Sequence, residues 1–228
     1  SEAAIRQLAD CIVDDGLEIL HPDLAPNYVA ADSWDFGQND GNPSPVNGGA
    51  NEDRHGTSVA GVAAARGGNG IGGTGAAPLA GLAGCRIDFV TQTTQMFVDA
   101  TLYHSNAANS AIKIKNHSYG YSATYIEAQA ERDAVASSAG VGTIHLYAAG
   151  NERGSAGEDS NKQDLQSSPD VIAVAAFGKD GKFSYYSSFG ANVFVTAPSS
   201  GVTGFGITTT DRTGSNGYNR TSVSGDGD

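Results

Sequence analysis

The chain has 228 residues, 39% of them hydrophobic, and its 25 acids against 13 Lys and Arg give a formal net charge of −12. That length supports one sizeable core, no apolar run approaches the ~18 residues of a membrane span, and the lack of basic clusters excludes a nucleic-acid partner. Scattered excess carboxylates suit solubility, calcium or cationic substrates, and 31 glycines, about twice the usual ~7%, read as tight turns in a packed domain.

From the N-terminus, where no basic, apolar leader is present, Glu2 to Ala9 has a helical composition. Cys11-Ile12-Val13 follows as a short buried strand closed by Asp14-Asp15-Gly16. His21 to Glu52 is rich in Asn, Asp, Gly and Pro and reads as long surface loops. Next comes Asp53-Arg54-His55-Gly56-Thr57-Ser58-Val59-Ala60-Gly61, continued by a small-residue run to Ala65. This pattern predicts a closely packed helix with His55 in its first turn, which would hold an imidazole with little play, as a general base requires.

A glycine-rich loop, Gly67 to Gly75, leads to a strand near Leu79 to Phe89, a helix from Gln95 to Asn106 and the strand Ala111 to Asn116. A further helix is predicted over Ile126 to Ser138. Strands are predicted over Val141 to Ala148, Val171 to Ala176 and Val193 to Val195. Short apolar strands alternating with helices predict an α/β fold: a doubly wound, mostly parallel sheet with helices on both faces, in one domain over 1–228. Chemistry in such sheets gathers at the carboxyl ends of strands, where Asp14, Asn116-His117-Ser118 and Asn151 fall. Cys11 and Cys85 lack zinc spacing and are too few for a disulfide framework. Buried free thiols are the ordinary reading of the pair and a single bridge the other.

Three stretches carry a family resemblance. Ile12-Val13-Asp14-Asp15-Gly16-Leu17-Glu18 with His21-Pro22-Asp23-Leu24 resembles the aspartate motif of subtilisin-like serine proteases, in the form of the kexin and furin branch. Asp53 to Gly61 resembles the histidine motif, and Ala148-Ala149-Gly150-Asn151 the segment carrying the oxyanion asparagine. The order Asp then His is the subtilisin order, and the likeness runs from Ile12 to Asp211. It implies that His55 is the base that activates a serine, that Asp14 fixes its tautomer and stabilises the imidazolium, and that Asn151 donates to the oxyanion. The family's serine lies in a Gly-Thr-Ser-x-x-x-Pro motif. Here the only Gly-Thr-Ser is Gly56-Thr57-Ser58, inside the histidine motif, and Thr221-Ser222-Val223-Ser224 lacks the proline. The chain is therefore expected to be incomplete at both ends, to lack the nucleophile and to be inactive as it stands.

The same resemblance implies calcium as cofactor. Asp23 with the loop Arg66 to Gly73 matches a structural calcium loop, with Asn69, the carbonyls of Arg66, Ile71 and Gly73, and the Asp23 carboxylate as ligands. Asp35, Asp40 and Asn42 match a second, acidic loop. Ser118-Tyr119-Gly120 resembles the edge that pairs with a substrate backbone, beside Ala149 and Gly150. Asp15 and Glu52 resemble acids that favour a basic residue two before the cleaved bond, and Asp159 and Asp164 resemble acids near the pocket for the residue before it. Tyr121-Ser122-Ala123 and Tyr186-Ser187-Ser188 lack an aspartate and a glutamate expected there, which argues against paired-basic specificity. Gly70 to Gly75 fits a dinucleotide pattern but follows a helix and runs into Pro78, the wrong context for that site. His104, His117 and His145 have no partners at metal spacing. These readings point to a secreted, monomeric, calcium-stabilised serine endopeptidase acting on protein or peptide substrates, without membrane or nucleic-acid partners. The alternative is a non-catalytic relative that binds peptides or a protein through the same groove.

Overall fold

The structure is a computed structural model and describes residues 9–46, 48, 52–121, 123–201 and 206–219. The helix predicted over Glu2 to Ala9 and the Thr221 to Ser224 segment lie outside these, except Ala9, which opens the first strand. Seven strands, β1 (Ala9–Asp14), β2 (Trp34–Asp35), β3 (Gly81–Arg86), β4 (Ile112–His117), β5 (Ile144–Ala148), β6 (Val171–Phe177) and β7 (Val193–Pro198), form one sheet in the order β2-β3-β1-β4-β5-β6-β7. All pairings between these strands are parallel. The helices are α1 (His55–Ala64), α2 (Thr94–Leu102) and α3 (Gln129–Gly140).

Strand β1 shows why the apolar runs are continuous. Cys11 and Val13 pack with Ala83, Cys85 and Ile112 against Phe97 and Ala100 of α2. Ile12 points the other way, with Leu82, onto Ala60 and Ala64 of α1. A strand covered on both faces has no polar side to alternate with, and helices on both faces are thereby confirmed. Cys11 and Cys85 are free thiols on neighbouring strands, both 0% exposed, with sulfurs 2.7 Å apart. The register pairs Cys11 with Ala83 and Val13 with Cys85. A two-residue offset puts their α carbons about 8 Å apart by strand spacing and rise, beyond the ~7 Å a disulfide spans.

Several element bounds shift by a few residues from expectation, and two of the differences have clear local reasons. Helix α3 runs to Gly140 and Gly142 turns the chain at φ +93°, so β5 starts at Ile144 rather than Val141. Strand β2 sits inside the region read as loops, because two residues are too few to show a period. From β1 the chain moves to β2 and β3 on one side, then crosses to β4 on the other. This reversal opens a crevice between the carboxyl ends of β1 and β4.

Candidate active site

Asp14 is the last residue of β1 and His55 the first of α1. Two devices hold these ends together. The Asp15 carboxylate accepts the N–H groups of Arg54 (2.9 Å), His55 (2.9 Å) and Gly56 (2.7 Å), satisfying donors that a helix start leaves unpaired. At Gly56 a Cβ would lie 2.3 Å from the Gly16 carbonyl oxygen and 2.9 Å from Asp14 Cβ, so any side chain there would push α1 off the strand.

His55 Nδ1 thereby comes within 2.9 Å of Asp14 Oδ2 and 3.0 Å of Oδ1. The aspartate side chain is 4% exposed and the imidazole 45%. Nδ1–H donates to the carboxylate, which fixes the tautomer, and Nε2 has no protein partner among the described residues. The Asp14 hydrogen bond raises the His55 pKa above its usual 6.5; burial opposes the shift, and the charges of Asp14 and Asp15 add to it. Asp14→Asn should therefore lower the His55 pKa, measurable by NMR titration of the imidazole; an unmoved value would show that the pair does not form.

A residue that the motifs did not reveal ties this corner together. Arg86, at the end of β3 and 1% exposed, donates from Nη1 to Asp35 (3.0 Å) and from Nη2 to Asp53 (2.7 Å). Its Nε donates to the Asp15 carbonyl (3.1 Å) and to Asp53 (3.1 Å). One guanidinium thus braces the residue after Asp14 and the residue two before His55. A lone charge in the apolar run of β3 was the available signal.

Asp35, expected as a calcium ligand, is here the ion-pair partner of Arg86. Its Oδ1 also accepts from Gly37 N (2.7 Å) and Gln38 N (2.9 Å), so protein donors occupy the carboxylate. Asp40 accepts from Asn42 N (2.9 Å), while Asn42 accepts from the Ser44 hydroxyl (2.7 Å). No cluster of three or more His, Cys, Asp or Glu suited to a metal occurs among the described residues. The first loop differs. Asp23, 1% exposed, accepts from Asn69 Nδ2 (2.7 Å) and Gly73 N (2.8 Å), and its carbonyl accepts from Arg66 N (2.8 Å). Ile71 N donates to Asn69 Oδ1 (3.2 Å). The loop is wrapped on a buried carboxylate that has no cationic partner among the described residues.

Ser118-Tyr119-Gly120 leaves the end of β4 and Ala149-Gly150-Asn151 leaves the end of β5, and both line a cavity of about 230 Å³. The second segment is pinned by Ser188, whose N–H donates to the Gly150 carbonyl (2.8 Å) and whose Oγ accepts from Glu152 N (3.0 Å). Tyr119 packs against Phe89 and Phe97, its hydroxyl 2.8 Å from His117 Nδ1. Asp15 and Glu52 line a separate cavity of about 470 Å³ with Asp53, Phe89 and Val90. Both acids have internal work: Asp15 caps α1, and Glu52 accepts from Gly217 N (3.0 Å). Asp164 does not reach the smaller cavity. It accepts from Ala128 N (2.7 Å) and pairs with Arg132 (3.0 Å). Asp159 caps Asn161 (3.0 Å).

A family model described as the subtilase family matches residues 9–225. The chain is 32% identical over 216 residues to proprotein convertase subtilisin/kexin type 4 of Homo sapiens, covering 88% of this chain and 27% of that protein. It is 30% identical over 205 residues to furin-1 of Xenopus laevis, covering 83% and 25%. The chain spans about a quarter of the length of these curated relatives. The serine protease of Aeromonas sobria superposes with a TM-score of 0.80 at 29% identity, over 96% of this chain and 41% of that one. A cold-adapted subtilisin-like proteinase, at 21% identity and TM-score 0.67, shares the fold. Aspartate, histidine and asparagine segments in this order, on a parallel sheet of this topology, agree with the match across residues 9–225: the chain belongs to the subtilase family.

Proposed function

We propose that this chain is the catalytic-domain portion of a serine endopeptidase, with His55 as general base, Asp14 as its orienting partner and Asn151 as oxyanion donor. The observation that carries this reading is the double contact of His55 Nδ1 with the buried Asp14 carboxylate at 2.9 and 3.0 Å. It leaves Nε2 free to take a proton from a hydroxyl nucleophile and later return it to the leaving amine. Asn151 lines the cleft beside Gly150, and in this reading its side-chain amide donates to the oxyanion of the tetrahedral intermediate. Substrate would lie along Ser118-Tyr119-Gly120 as an added strand. The nucleophile of this reading is a serine outside the histidine motif, since Ser58 lies within α1, three residues after His55. The setting is extracellular and the protein monomeric, acting on extended or unfolded protein segments.

The test is hydrolysis of an unfolded protein substrate by the natural gene product containing this chain. Turnover should be present, and His55→Ala should abolish it with the circular dichroism spectrum unchanged. Retained turnover in the variant would refute the role of His55. No turnover in the natural product, with peptide still bound in the groove, would favour a non-catalytic binding domain.

Calcium fits the first loop. Asp23, Asn69 and the carbonyls of Arg66, Ile71 and Gly73 would hold it, with Asn69 turning its amide oxygen toward the ion. Bound calcium would neutralise the Asp23 carboxylate and brace the loop below α1. At about 100 times its Kd it should add roughly 2.7 kcal/mol of stability. Melting temperature should rise with calcium and fall with a chelator. Asp23→Ala should remove the response and Asp40→Ala should leave it intact; an unresponsive wild-type chain would eliminate the site.

A further inference from the structure

We infer that the cavity behind Asn151 selects a neutral, amide-bearing side chain, glutamine foremost, on the residue whose carbonyl is attacked, and that Gln163 reads it. This rests on the endopeptidase reading for the direction of the bound peptide. The oxygen of the attacked carbonyl lies by Asn151, so the side chain of that residue enters the cavity that Asn151 itself lines, about 230 Å³ in volume.

The buried polar part of that lining consists of Gln163, Gln166 and Ser188, which are 6%, 4% and 0% exposed. Two of these are committed. Gln166 Nε2 donates to the Ala148 carbonyl (3.2 Å), and Ser188 holds the turn around Gly150. Among the described residues the Gln163 side chain has no hydrogen-bond partner, although its backbone N–H donates to the Ser160 carbonyl (3.0 Å) and its carbonyl accepts from Ser167 N (3.1 Å). The residue is 6% exposed and lines the cavity, so the amide's donor and acceptor face the cavity space, where a ligand can meet them.

A primary amide on the substrate would satisfy both halves, donating to Oε1 and accepting from Nε2. A guanidinium or ammonium offers donors alone, leaves Nε2 unpaired, and must shed water where no carboxylate waits. Asp164 is held by Arg132, and Glu152, the one carboxylate among the described lining residues, is exposed and within 3.4 Å of the Ser155 hydroxyl. An apolar side chain leaves the whole amide unpaired.

The test uses this chain and four peptides, acetyl-Ala-Ala-Ala-X with a free carboxyl end, where X is Gln, Met, Arg or Glu. Binding is followed by NMR, including the Gln163 side-chain amide signals, assigned through Gln163→Met. The Gln peptide should bind on the order of tenfold tighter than the others and move those signals. Gln163→Met should level the series, and Gln163→Glu should turn the preference to Arg. Equal affinities in the wild-type chain, or a preference for Arg, would overturn the inference and leave the groove reading standing. If neither variant folds, the wild-type ranking decides alone. No binding by any peptide would overturn the groove reading, and this inference with it.

Discussion

Arg86→Met should cost about 3–5 kcal/mol of folding stability in urea unfolding, the loss typical of removing one partner from a buried ion pair. Asp35 is 0% exposed, Asp53 4% and Arg86 1%, so no water can replace the guanidinium. Two carboxylates would be left without their cation, and the Asp15 carbonyl without its donor. The cost lies in the orphaned acids more than in the pair itself, so adding Asp35→Asn to Arg86→Met should recover part of the loss. Arg86→Lys keeps the charge and loses the fork that reaches three groups at once. It should be milder in stability, yet still loosen the hold on the Asp14–His55 corner and lower the His55 pKa. A loss below about 1 kcal/mol in Arg86→Met would mean the acids find other partners.

The fold class was legible because strands buried on both faces leave continuous apolar runs, and the aspartate, histidine and asparagine segments were legible because each is a short local motif. What escaped was through-space. Arg86 meets Asp53, Asp35 and Asp15 from 33, 51 and 71 residues away. Nothing near His55 in sequence supplies the cap of α1, since Asp15 does so from 40 residues upstream. Read locally, Asp15 and Glu52 are acids waiting for a basic substrate; in three dimensions Asp15 is already holding the helix start, and Glu52 a loop of the 206–219 segment. His117 and His145 were read as ordinary, and their burial against one another is the largest feature that spacing could not show.

Those two histidines should make the protein acid-sensitive well above the range of carboxylate titration. His117 and His145 are 0% and 1% exposed, and His117 Nε2 lies 3.1 Å from His145 Nδ1 while its Nδ1 lies 2.8 Å from the Tyr119 hydroxyl. Such a row works with both rings neutral: the hydroxyl donates to one ring nitrogen and the other ring nitrogen donates onward. Protonating His145 would set two N–H donors face to face. Burial pushes His145 down to about 3, with the charge of Lys115 adding to the shift, and His117 is pushed down by burial, His145 and Lys115. With the folded pKa below the unfolded 6.5, the unfolded chain binds more protons in between. The His145 contribution is thus complete well above pH 6.5 and falls as pH drops toward 3, by up to roughly 1.4 kcal/mol per pH unit, and His117 acts in the same direction. Buried Asp10, whose pKa is raised to about 6, works in the opposite sense, so the comparison must be with a variant. From pH 6.5 to 4.5 the wild-type chain should lose about 2 kcal/mol more than His145→Asn in urea unfolding. Parallel losses would show that the ring is charged in the folded state.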